Sequence, residues 1–93
     1  MIVQELEGKT RIESDRKVNV TVDGIEYEIN AMQFDNVNHF ATVMIYDKTH
    51  EESYVSYGCI DLNGHTFYSR WDVTFDYETV RVVTGRRLII EIY

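Results

Sequence analysis

Proline is absent from the 93-residue chain. No position is therefore barred from donating to a strand ladder. Strong helix formers are scarce, with two Ala and three Leu. Cysteine occurs once, as Cys59. That excludes an internal disulfide and a structural zinc site built on paired thiolates. No apolar run approaches the roughly 20 residues of a membrane-spanning helix. The opening MIVQELEGK has no basic segment leading into an apolar one, so no signal peptide is expected. Together these absences suggest a reducing, cytoplasmic setting. Asn19-Val20-Thr21 matches the glycosylation acceptor pattern and is read as a chance match within a strand.

Positive charge is also sparse where it matters. Residues 21–79 carry eleven acids against Lys48 and Arg70. Residues 1–20 are balanced, and residues 80–93 hold three Arg and one Glu. The formal net charge is −7. A phosphate backbone needs a basic surface, so direct nucleic-acid binding is not expected. An acidic field favours partners with a basic surface. Solubility alone also accounts for a charge of this size.

What the chain does contain is strand-forming material. Val, Ile, Thr, Tyr, Phe and Trp together number 40, a composition suited to pleated, half-buried surfaces. The apolar fraction of 44% supports a folded globule, and the length fits one β-rich domain over residues 1–93.

Two turn signals set registers. Asp23-Gly24 suits a two-residue type I′ turn, in which both residues need positive φ. It pairs Val22 with Ile25, Val20 with Tyr27 and Val18 with Ile29, all on one face. Thr21 with Glu26, and Asn19 with Glu28, lie on the wet face. Asn63-Gly64 is the stronger signal, at the centre of Ser53–Glu78, which holds seven of the twelve aromatic residues. Its register pairs Leu62 with His65, Ile60 with Phe67, Gly58 with Ser69, Ser56 with Trp71 and Tyr54 with Val73. Phe75 and Tyr77 continue that core face. The outer face pairs Asp61 with Thr66, Cys59 with Tyr68, Tyr57 with Arg70 and Val55 with Asp72, then continues through Thr74, Asp76 and Glu78. Gly58 leaves room for Trp71 or for a bend.

The remaining segments follow the same reasoning. Ile2–Leu6 fits a strand or one helical turn, and 8–17 fits a turn with a short edge strand. Phe34, Val37, Phe40 and Ala41 have helical spacing, with Asp35 as a cap, although a loop fits as well. Thr42–Asp47 is an internal strand, with Val43, Ile45 and Asp47 on one side and Met44 and Tyr46 on the other. Lys48–Glu52 is a solvated connection. Thr84-Gly85-Arg86 is read as the loop of a last hairpin, with Val82 against Leu88 and Val80 against Ile90. Leu88–Ile90 is apolar on both sides, which suits a central strand or an edge covered by another subunit. The fold expected is mainly β: a small antiparallel barrel or sandwich of hairpins with at most one short helix.

No catalytic, metal or cofactor motif stands out. Asp61 and His65 are spaced for a metal, yet the hairpin register sends them to opposite faces. His50-Glu51-Glu52 offers only a weak surface site. GxSxG and phosphate-loop patterns are absent, and Asp72 with Asp76 lacks the apolar setting that would raise one carboxyl's pKa. Binding is the better reading. Asp61, Asp72, Asp76 and Glu78 on the long hairpin, with Glu26 and Glu28 on the other, place carboxylates at even strand intervals of about 6.6–7 Å. Tyr57 and Tyr68 add rigid anchors. Such a surface would suit a non-enzymatic inhibitor that imitates a phosphate backbone and occupies a nucleic-acid-binding enzyme. Phage-type anti-CRISPR or anti-restriction proteins are the model. The alternatives are a self-associating module, pairing as a homodimer through an edge strand, and a small-ligand barrel with Trp71, Tyr54 and His65 near a cavity.

Overall fold

In the computed structural model the described residues are 1–33, 40–75, 78 and 83–93. Nine strands follow one another: β1 (Ile2–Leu6), β2 (Lys9–Ser14), β3 (Lys17–Val22), β4 (Ile25–Gln33), β5 (Thr42–Asp47), β6 (Glu52–Ser56), β7 (Cys59–Leu62), β8 (His65–Phe75) and β9 (Val83–Ile92). They form two antiparallel sheets, one of order β1-β2-β9-β8-β7 and one of order β3-β4-β5-β6. The all-β expectation holds, as a sandwich and not a closed barrel. The helical reading of Phe34 to Val37 falls outside the described residues. No helix among the described residues is long and apolar enough to cross a membrane.

Both turn signals do what their chemistry requires. Asp23 and Gly24 have φ of 49° and 79°, and Asn63 and Gly64 have φ of 51° and 81°, as a type I′ turn demands. The β3–β4 register is the one expected, Val22 against Ile25 through Val18 against Ile29. The β7–β8 register also holds from Leu62–His65 to Cys59–Tyr68.

Beyond Cys59 the long hairpin does not continue, and the expected Ser56–Trp71 and Tyr54–Val73 pairs are overturned. β6 belongs to the other sheet, where Ser56 lies opposite Val43 and Tyr54 opposite Ile45. The chain crosses between sheets at Gly58, whose φ of 124° is open to glycine and strained for any other residue. Ser69 holds the crossing together. Its N–H donates to the Gly58 carbonyl at 2.9 Å, and its Oγ donates to the Ala41 carbonyl at 2.8 Å. Phe40, not Tyr57, bridges Arg70.

The last hairpin is also corrected. Gly85 is inside β9 opposite Thr74, Arg86 is opposite Val73, and Leu88 is opposite both Trp71 and Ser14. The Thr84-Gly85-Arg86 segment is thus strand, and Gly85 does not take positive φ. β9 sits between β2 and β8. Its two-sided apolar character therefore reflects a central position within one chain, not an edge covered by a second subunit. β2 is likewise internal, between β1 and β9, and not the edge expected for that segment.

The core lies between the sheets. Ile12, Phe67, Trp71, Leu88, Ile90 and Ile92 of the larger sheet meet Val18, Tyr27, Ile29, Val43 and Ile45 of the smaller. Tyr27 and Phe67 touch edge to face, with ring centroids 5.0 Å apart. Each such large side chain, fully buried, contributes about 1.5–3 kcal/mol. Ile89 is buried too, though its parity places it on the outer face of the larger sheet. Its neighbours there are Glu13, Arg70, Arg87 and Glu91, whose long aliphatic stems can cover it while their charged ends stay wet.

Candidate binding surface

Strand parity distributes the expected contact residues. Asp61 on β7, and Tyr68 and Asp72 on β8, all point away from the core and are exposed. They share the outer face of the five-stranded sheet. Asp61 is opposite Thr66, and Asp72 lies six residues further along β8, about 20 Å by strand rise. Tyr68 and Arg70 occupy the outward positions between. The carboxylates thus flank this surface and do not form a continuous row. Tyr57 is 77% exposed in the crossover between β6 and β7. Glu78 is exposed in a turn beyond the end of β8, and Asp76 lies outside the described residues. Glu26 and Glu28 are on the outer face of the four-stranded sheet, the opposite side of the sandwich.

The centre of this face is a ladder of mixed charge. Lys9 Nζ donates to Glu91 at 2.5 Å, and Arg70 approaches the other Glu91 oxygen at 3.7 Å. Glu13 sits between Arg11 at 3.4 Å and Arg87 at 3.5 Å, and Arg87 also reaches Asp15. The Lys9 hydrogen bond holds the Glu91 carboxyl below its ordinary pKa against partial burial, with Arg70 and Arg11 adding to the effect. The same bond raises the Lys9 pKa. Beside the ladder Tyr68 stacks edge to face on Tyr93, centroids 5.5 Å apart, and Lys9 lies 5.5 Å from the Tyr93 ring. Asp61 and Asp72 stand outside this network. Asp61 accepts the Thr66 hydroxyl at 2.7 Å, and among the described residues no salt bridge joins either acid to a cation. On the other face Glu28 pairs with Lys17 at 3.0 Å, which lowers its pKa with help from Asn30.

A polar cluster invisible to motif reading lies at the end of the sandwich. Asp47 is buried, with 1% exposure. Burial pushes its carboxyl up. The His50 ring and backbone N–H groups, at 2.7 and 2.9 Å, and the Asn63 amide at 3.1 Å outweigh that and hold it low. His50 is in turn raised by Asp47. The one sequence signal for this cluster was the inward parity of Asp47 along β5.

His65 forms a second clip. Its Nδ1 lies 2.8 Å from the Tyr93 carbonyl oxygen and its Nε2 lies 2.5 Å from Asp23. Both partners are acceptors, so the geometry favours the protonated ring, which can donate from both nitrogens. Asp23 first and Tyr93 second raise its pKa accordingly. This clip borders an open cleft of about 320 Å³ lined by Glu5, Lys9, Thr21, Asp23, His65 and Tyr93 among others. Trp71 and Tyr54 do not line it. Trp71 is in the core, and Tyr54 packs against that core. Asp61 and His65 do point apart, and no group of three His, Cys, Asp or Glu among the described residues is placed to hold a metal. Compared with protein-family models, with curated proteins and with solved structures, the chain matches none.

Proposed function

We propose that this domain acts by binding a protein partner with a basic surface, through the outer face of β7–β8 and the adjoining crossover. The observation that carries this reading is the exposure of Tyr57 and Tyr68, 77% and 45%, on the crossover and on the sheet face that also carries Asp61 and Asp72, which have no cation partner among the described residues. Exposed aromatics give contact area at low entropic cost. Uncompensated acids at the margin steer a cationic partner and set register. Glu78 adds an exposed carboxylate beyond the end of β8, while Glu26 and Glu28 belong to a second, opposite face.

The narrower form is an inhibitor of a nucleic-acid-binding enzyme, of the anti-CRISPR or anti-restriction kind. The formal net charge of −7 supports it, since a basic groove built for phosphates attracts an acidic domain. Capture from the native host's lysate on the immobilised domain, identified by mass spectrometry, tests the reading. The expected catch is a protein with a basic surface that elutes with rising salt and is displaced by an oligonucleotide. A catch insensitive to both salt and oligonucleotide would overturn it.

A further inference from the structure

We infer that β1 is a self-association edge, on which a second copy of this chain docks by antiparallel pairing of β1 with β1. This stands apart from the partner-binding reading, because β1 and β7 are at opposite edges of the larger sheet.

Among the described residues β1 pairs with β2 on one side only. All five of its residues are exposed, with Ile2, Val3 and Leu6 each about half accessible. Val3 lies opposite Ile12, whose side chain is buried in the core, so Val3 faces the same side of the sheet. Its own exposure shows that the four-stranded sheet does not reach over β1. Edge strands are normally protected by lysine, proline, a bulge or brevity. β3 carries Lys17, and β7 is four residues long. β1 has no lysine, proline or bulge, and its single charge, Glu5, shares the core-side face with Val3 and is bonded to Thr10 of β2.

The sequence Ile-Val-Gln-Glu-Leu is self-complementary in one arrangement. An antiparallel pair centred on Gln4 sets Ile2 opposite Leu6 of the second copy, Val3 opposite Glu5, and Gln4 opposite its own equivalent. No like charges oppose one another directly. A parallel pair in register would instead align Glu5 with Glu5, which is unfavourable. Glu5 already accepts the Thr10 hydroxyl at 2.9 Å, so its carboxylate is held toward β2 and away from the free edge. A two-fold axis through Gln4 uses one edge per copy, so assembly stops at the dimer.

A five-residue strand pair buries less than the roughly 1,200 Å² at the lower end of standard interfaces, so the dimer belongs with weak, transient contacts. Sedimentation equilibrium up to about 1 mM should show the mass rising from 11.0 kDa toward twice that value. Gln4→Lys and Gln4→Glu each place like charges on the axis, and each should weaken association about fivefold or more. An equimolar mixture of the two variants should restore it. Circular dichroism matching the wild type confirms that both variants fold. A wild-type mass fixed at 11.0 kDa throughout would overturn the inference. So would undiminished association of either single variant, or a mixture no better than its components.

Discussion

Asn63 donates its side-chain amide to the Tyr27 hydroxyl at 2.7 Å, so the turn that sets the register of β7–β8 also ties that hairpin to the opposite sheet. The same nitrogen lies 3.1 Å from buried Asp47. Asn63→Gly separates the two roles, since glycine keeps the positive φ that the turn requires. The expected loss is about 1–3 kcal/mol, from leaving buried polar groups short of a partner. Adding Tyr27→Phe should cost less in that background than alone, which a double-mutant cycle in urea would show.

The two histidine clips make stability depend on pH in one direction. His50 against Asp47 and His65 against Asp23 and Tyr93 both have raised pKa values in the fold. Their contribution is complete below the ordinary histidine value of about 6.5 and is lost as pH climbs through the raised folded values. Thermal melts should therefore give a falling Tm from about pH 6.5 upward. Replacing both residues by Gln should flatten that slope. A wild-type Tm that rises over this range would contradict the assignment.

Gly58 should tolerate no side chain. A Cβ there would sit 3.1–3.2 Å from Phe40 atoms, and its φ of 124° is strained for any L-residue. Gly58→Ala is expected to cost about 2 kcal/mol or more. Phe40→Ala should recover only part of that, because it removes the ring atoms but keeps the Phe40 Cβ at 3.2 Å and leaves the backbone strain. Chemical denaturation of the single and double variants would separate the two.

Ile89→Ala should destabilise by about 2–4 kcal/mol despite its outward parity, because the residue is fully buried. An ordinary wet-face position would change stability by less than about 0.5 kcal/mol.

The face of each residue was readable from the sequence more often than its neighbour. Phe67 and Trp71 point inward, and Tyr68 and Asp72 outward, as alternation dictates. Alternation has the same period whichever strand lies alongside, so it did not reveal that Trp71 pairs with Leu88 and not with Ser56. Where a tight turn fixed the pairing locally, as between Val18 and Ile29, face and partner were both legible. The carboxylate surface suffered most from this difference. Asp61 and Asp72 face outward as expected, yet β2 and β9 bring Arg11, Arg87 and Lys9 onto the same sheet face through long-range pairing. Asp47 shows the converse case: its parity pointed inward, and only the packed structure supplies the Asn63 and His50 donors that make a buried carboxylate tenable.

The central claim is that the outer face of β7–β8 is a contact surface, and charge reversal tests it most directly. Asp61→Lys, Asp72→Lys and Glu78→Lys combined, with an unchanged fold by circular dichroism, should lose the proteins that the wild-type domain captures from its host's lysate. Capture of the same proteins in the same yield by the reversed variant would contradict the account.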